Sequence, residues 1–224
     1  MELDKVFEAS RKNDKACIFC FPTSDLVVHE TDSLRLLVDT FPIQQGHTLI
    51  SSKAHFGCMG DLNESVTPTV MDVVSLLELA KSKNVEESLL IYEHGKAGSC
   101  HVQKGQFCEH FHLHLLPMKN EQVVKVFRSI IPLIKKIAPT FYTLNSFLDL
   151  PELYDRFGEY LLLSDGKNIL FFPTSNKKIP SHFIRTLVCE ELGVPEKSDW
   201  KNVNDKGLFA KNLISWKEAF NEDK

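Results

Sequence analysis

Apolar and polar positions along this chain alternate at period two in several short stretches and at a helical period in fewer, longer ones. SLRLLVD (33–39), HTLISS (47–52) and SLLIYEHG (88–95) have the alternation and β-branched content of strands. Between the second and third of these, Val70, Val73, Val74 and Leu77 recur at i, i+3, i+4 and i+7, and Ala80 continues the stripe. This spacing predicts an amphipathic helix ending in the Lys/Ser/Asn cluster at 81–84, with Asp61, Asn63 and Thr67 as candidate caps. Residues 3–13 predict a further short helix. A polar loop, KAGSCHVQKGQ, leads into HFHLHLL (110–116), where histidines alternate with large apolar residues before Pro117. The order strand, strand, helix, strand, strand predicts an α+β fold, an antiparallel sheet with a helix packed on one face.

Beyond Pro117 the pattern changes. QVVKVFRSIIPLIKKIA is helical in spacing and is expected to break at Pro132. EYLLLSDGKNILFFP predicts a hairpin turning at Asp165-Gly166. Ser181 is the expected N-cap of SHFIRTLVCEELG, which stops at Gly193. The expected organisation is an N-terminal helical segment at 1–15, a core domain at 16–120, and an α+β extension at 121–224 packed on that core.

Composition narrows the class. With 43% hydrophobic and 25% charged residues, the 224-residue chain is globular rather than disordered. A net charge of −4 provides no general attraction for phosphate backbones, so no strong nucleic-acid signature is present and any anion site must be local. The N-terminal stretch has no apolar signal core, and no apolar run approaches bilayer length, so no membrane partner is expected and the cytoplasm is the default location. Six cysteines in a chain of this length do not suggest a disulfide scaffold. Cys17 and Cys20 form a CxxC, which reads as metal or redox chemistry.

Strand geometry puts His110, His112 and His114 on one face at steps of about 6.6 Å, with Phe111, Leu113 and Leu115 on the other. On the residues alone the row is a polar strand face, a metal site built from HxH, or a catalytic group. Three histidines at strict period two make chance a poor explanation.

Taken with CIFC near the start and DTFPIQQGHTLISSKAH at 39–55, HFHLHLLP resembles the histidine-triad (HIT) family of nucleotide hydrolases and transferases, over roughly residues 16–118. The resemblance implies a HIT fold and attack by His112 on the α-phosphorus of a nucleotide, giving a nucleotidyl-histidine intermediate that water or another phosphate resolves. His114 and His47 would stand beside the phosphate oxygens. Asp39 would accept from the ribose hydroxyls, and on pattern alone it is equally a strand-end residue. Gln106 matches a family position near the phosphate, and Ile18 and Phe19 fall where the family lines its base pocket; His94 ends the strand preceding the triad and either points toward the substrate or occupies a strand-terminal turn. Phe107 stands where the family often has Ser or Thr, which removes a hydroxyl donor. Relatives with CxxC complete it with two histidines, here His55 and His110, which implies a structural Cys₂His₂ zinc.

The implied substrate is a purine nucleotide containing adenosine, and a homodimer is a possible assembly. A nucleotidyltransferase or phosphorylase using the same intermediate is the near alternative. A nucleotide- or RNA-binding scaffold with little turnover is the alternative of another class. Lys96, His101 and Lys104 could meet distal phosphates, and Cys100-His101 with Cys108 could form a weak second cluster. His29 is expected at the surface. DGKNILFFPTSNKKIPSHFIRTLVCEELGVPEKSDWKN weakly resembles the C-terminal part of longer HIT-like, Cwf19-type proteins. Its Lys177, Lys178, His182 and Arg185 form a basic cluster, read here as an exposed helix start.

Overall fold

The computed structural model describes residues 2–11, 17–83, 88–98, 101–103, 106–107 and 109–221. The N-terminal helix α1 spans Leu3–Arg11. Strands β1 (Val27–Glu30), β2 (Leu34–Val38) and β3 (Thr48–Ser52) follow as an antiparallel meander. Helix α2 (Val70–Ser82) buries Val70, Val73, Leu76, Leu77 and Ala80, close to the predicted stripe. Its cap is none of the three expected residues. Thr69 accepts from the Asp72 backbone N–H while the Asp72 carboxylate accepts from the Thr69 backbone N–H, a reciprocal box that satisfies two orphan donors of the first turn.

Strand β4 (Ser88–Gly95), the short pair β5 (His101–Gln103) and β6 (Gln106–Phe107), and β7 (His112–Met118) complete the first half. Helix α3 (Asn120–Lys135) runs through Pro132 without ending, contrary to expectation. The proline lies in the last turn and lacks the N–H that would donate to the carbonyl four residues earlier, so one helical bond is lost near the end of the helix. The buried stripe Val123, Val126, Phe127, Ile130 and Ile134 holds the helix on both sides of it. Strand β8 (Tyr142–Leu144), helix α4 (Leu150–Phe157), the hairpin β9 (Tyr160–Ser164) and β10 (Ile169–Pro173), and helices α5 (Phe183–Glu191) and α6 (Lys206–Asn221) follow. The hairpin turns at Asp165-Gly166 as predicted, with Gly166 at φ +87°.

Eight strands form one sheet in the order β1-β2-β3-β7-β4-β9-β10-β8. Residues after 121 therefore extend the sheet itself, with β9 occupying the outer edge of β4. The central strands are buried on both faces. Leu89 and Ile91 of β4, Leu113 and Leu115 of β7, and Phe171 of β10 pack into one core with α2, α4 and α6. Leu90, Tyr92, Leu116, Leu161, Leu163 and Phe172 point the other way, into a second core with α3 and α5. The expected helix on one face is α2, and the extension supplies the cover for the other. Among the described residues no helix is long and apolar enough to cross a membrane.

His29 packs on Phe220 of α6, with ring centroids 4.9 Å apart, so it is not the isolated surface residue expected. Ser181 does not cap α5: His182 holds that position at φ +57° without a side-chain cap bond.

Candidate active site and metal centre

β7 lies between β3 and β4, and its register sets His112 opposite Ser51 and His114 opposite Leu49 on one side and Tyr92 on the other. The even-numbered side chains of β7 share the face covered by α5, so the histidines lie between the sheet and the extension, lining a cleft of about 360 Å³. Ile18, Phe19, Asp39, His94, His112 and His114 all line it, as do His182, Arg185, Trp200 and Lys201 of the extension.

Hydrogen bonds fix the tautomers around the cleft. His112 Nδ1–H donates to the His110 carbonyl at 2.7 Å, which places the ring's lone pair on Nε2. The Ile43 backbone N–H donates to His47 Nδ1 at 3.1 Å, so His47 carries its proton on Nε2 and donates to His114 Nδ1 at 3.0 Å. His114 in turn carries its proton on Nε2. Burial lowers the pKa of His47 to about 4, outweighing the opposing pull of Asp39, and holds that of His114 well below the usual histidine value. Both rings are neutral near pH 7. The 3.3 Å approach of Asp39 to His47 Nδ1 is thus a contact with a neutral ring rather than an ion pair.

Packing holds the rings in place. Phe19 stacks on His112 with centroids 4.5 Å apart, and Tyr92 stacks on His114 at 4.3 Å. Phe19 therefore also braces the central histidine in addition to lining the cleft. His94 is half-buried and accepts from the Ile184 N–H at 3.0 Å; desolvation drives its pKa to about 3. Asp39 is buried, its Oδ1 accepting from the Phe41 N–H at 2.7 Å, and Arg185 lies 3.7 Å from its Oδ2.

The second group gathers around His110. Cys17, Cys20, His55 and His110 place one ligand atom each within 4.8 Å of all the others. Cys17 Sγ and Cys20 Sγ lie 3.4 and 3.5 Å from His110 Nδ1, Cys20 Sγ lies 3.2 Å from His55 Nδ1, and the two ring nitrogens are 3.2 Å apart. His110 Nε2–H donates to the Ser52 carbonyl at 2.9 Å, turning Nδ1 toward the sulfurs. These four residues form a set able to hold a metal ion. Asp39, His47 and His114 also fall within 4.8 Å of one another, but their donors are already committed to the network above.

Lys96, expected as a contact for distal phosphates, lines the cleft. Its Nζ donates to Asp61 at 3.0 Å and to Tyr154 Oη at 2.8 Å. The side chains of Gln106, Phe107 and His101, and residues Cys100, Lys104 and Cys108 altogether, lie outside what is described. The expected basic cluster is not one group: Lys177 and Lys178 are exposed, whereas Arg185 is buried beside Asp39. Arg185 is the main residue that pattern reading missed. An arginine next to Ile184, two before Leu187 and three before Val188, in a helix that must cover a sheet, was the available signal.

Residues 22–121 match the HIT domain. The chain is 28% identical over 121 residues to the adenylylsulfatase HINT3 of Arabidopsis thaliana, covering 51% of this chain and 57% of that protein. It is 28% identical over 115 residues to the adenosine 5'-monophosphoramidase HNT1 of Saccharomyces cerevisiae, covering 49% of this chain and 66% of that one. The chain thus spans little more than half the length of the first of these relatives. Among solved structures, yeast Ap4A phosphorylase Apa2 in complex with Ap4A aligns with a TM-score of 0.42 at 16% identity, covering 69% of this chain and 63% of that one. The cysteine pair lies just ahead of the matched segment. With the triad on β7, its ring nitrogens fixed by hydrogen bonds and this match, residues 22–121 of the chain are a histidine-triad domain.

Proposed function

We propose that the protein hydrolyses nucleotides at the α-phosphate through a covalent intermediate on His112. The observation that carries this is the 2.7 Å bond from His112 Nδ1 to the His110 carbonyl, which leaves Nε2 as the nucleophilic nitrogen facing the cleft. In the first step Nε2 bonds to the α-phosphorus. The bond from phosphorus to the leaving group breaks, and that group departs with the electron pair and takes up a proton. In the second step a water oxygen bonds to phosphorus and loses a proton, while the N–P bond breaks and returns its pair to His112. The product is a nucleoside monophosphate. His114, neutral with its proton on Nε2, is a donor for the phosphate oxygens without adding a charge that would trap the intermediate. His47 fixes that tautomer. Asp39 is the acceptor for a ribose hydroxyl, and Ile18 with Phe19 forms the apolar wall against the base.

The names of the relatives, one an adenylylsulfatase and one an adenosine monophosphoramidase, favour an adenosine nucleotide. The test uses a panel of α-labelled adenosine phosphoramidate, adenylyl sulfate and diadenosine polyphosphates. Acid-labile label on the chain and released adenosine monophosphate are expected, both lost in His112→Ala by a factor of at least about 10³. Label or turnover persisting in that variant sinks the mechanism. Binding without turnover by the intact chain favours a scaffold. Capture of the nucleotide by added inorganic phosphate marks a phosphorylase.

The cysteine–histidine set is assigned to structural zinc. Tetrahedral zinc with Zn–S of about 2.3 Å and Zn–N of about 2.05 Å separates S from N by about 3.5 Å and N from N by about 3.3 Å. The separations of 3.2 to 3.5 Å among Cys17, Cys20, His55 and His110 fit that spacing. All four positions are protein side chains, so the ion would tie the 17–20 turn to β7 and take no part in the reaction. Elemental analysis is expected to find about one zinc per chain, falling sharply in Cys17→Ser. A metal-free preparation with unaltered unfolding overturns the assignment.

A further inference from the structure

The segment from Asp39 to His47 is a loop with a functional residue at each end, and most of its backbone between them is held by side chains from the far end of the chain. Arg185 Nη2 donates to the Phe41 carbonyl at 2.8 Å and its Nε to the Lys197 carbonyl at 3.0 Å. Lys197 Nζ donates to the Ile43 carbonyl at 3.2 Å. Asn212 makes two bonds, Nδ2–H to the Gln44 carbonyl at 3.1 Å and Oδ1 from the Gly46 N–H at 2.8 Å. Trp216 Nε1–H donates to the Gly46 carbonyl at 3.0 Å. Five hydrogen bonds from four side chains thus fix four loop residues. Arg185, Asn212 and Trp216 are buried at 3%, 0% and 4% exposure, so these bonds form away from competing water. On its other side the loop meets β7, where a Cβ on Gly46 would stand 2.9 Å from Pro117.

The consequences fall at the two ends. At Asp39, the buried guanidinium of Arg185 lies 3.7 Å from Oδ2 while the loop's own Phe41 N–H holds Oδ1. At His47, the Ile43 N–H that sets the tautomer belongs to the residue whose carbonyl Lys197 holds. We propose that Arg185, Lys197, Asn212 and Trp216 are positioning residues. They clamp the 39–47 loop so that Asp39 faces the ribose and His47 keeps its proton on Nε2 for His114. The C-terminal extension is thereby part of the active-site machinery, although only Arg185 of the four lines the cleft.

This rests on the nucleotidyl-transfer reading, so the test has one arm that needs no substrate. Arg185→Lys keeps the charge and loses the fork; Trp216→Phe removes one donor and keeps the packing. With adenosine 5'-phosphoramidate, Arg185→Lys is expected to lower kcat/KM by about tenfold or more, while the 2',3'-dideoxy analogue, which has no hydroxyl for Asp39, changes less than about twofold. An equal loss on both substrates, or none on either, overturns the ribose-end role. Trp216→Phe is expected to lower kcat severalfold with KM unchanged; a rise in KM at unchanged kcat overturns the His47-end role. Without substrate, amide exchange at residues 41–46 is expected to accelerate at least tenfold in both variants, and unchanged exchange overturns the clamp. If the wild-type chain turns over neither substrate, the enzymatic reading fails, and the exchange arm still decides whether the clamp exists.

Discussion

Burial keeps His47 and His94 uncharged at neutral pH, and this sets a direction for stability. Each has a folded pKa below the unfolded value of 6.5, about 4 for His47 and about 3 for His94. Between pH 6.5 and these values the unfolded chain binds protons that the folded chain does not, so acidification destabilises the fold. At pH 5 each histidine contributes a loss on the order of 2 kcal/mol. Glu93 works in the opposite sense. It is enclosed, accepts from Tyr160 Oη at 2.7 Å and from the Met59 N–H at 2.8 Å, and burial raises its pKa from 4.5 to about 7. The folded state therefore retains a proton that the unfolded state loses between pH 4.5 and 7. Its stabilisation is complete below 4.5 and lost as pH rises through 7. Urea midpoints between pH 7 and pH 5 are accordingly expected to fall in the wild-type chain and to fall more steeply in Glu93→Gln, which lacks the opposing group. Parallel slopes for the two proteins would contradict this assignment.

At the level of elements, much was legible because local and tertiary demands agreed. The stripe from Val70 to Ala80 is a helix because its apolar face meets the sheet, and the alternation through HFHLHLL is a strand because Leu113 and Leu115 fill a core. His112 and His114 could be singled out by their strict period two along one strand, whereas Asp39 and His47 were pointed to only by the family resemblance of the 39–55 stretch. What escaped was supplied from a distance. Local pattern gave α5 a serine cap, yet its first turn is capped by a histidine from β4: the Ile184 N–H reaches His94 Nε2 across 90 residues. Arg185 looked like an exposed helix start because nothing nearby in sequence announces a buried carboxylate 146 positions earlier. Lys197, Asn212 and Trp216 were invisible for the same reason, since their partners in the 39–47 loop are backbone atoms, and backbone carries no sequence signature. The continuity of the sheet across residue 121 also could not be read, because β9 looks the same whether it pairs with β4 or with a separate sheet.

For the molecule as a whole, that continuity makes a firm prediction about dependence. Ending the chain after residue 121 strips β9 from β4 and removes α5 and α6, together with all of α3 beyond its first two residues. Leu90, Tyr92, Leu116 and Met118, none more than 3% exposed, would lose their second-face packing. At roughly 1.5–3 kcal/mol for each large side chain returned to water, the loss is about 6–12 kcal/mol. A whole domain has only about 5–15 kcal/mol to lose. The bare edge of β4 would also become a template for aggregation, being eight residues long with an apolar run at Leu89, Leu90 and Ile91. The 1–121 fragment is therefore expected to be unfolded or aggregated, even though it contains every residue of the triad and of the cysteine–histidine set. The full chain is expected to unfold in one transition by circular dichroism and by tryptophan fluorescence. Both tryptophans, Trp200 and Trp216, lie in the extension, whereas most of α2 and β1–β4 report through the far-ultraviolet signal. Coincident curves from the two probes mean that the two halves fold as one unit. A soluble 1–121 fragment with its own cooperative transition would instead make the extension a separable module, and the clamp on the 39–47 loop would then be an interface between two domains.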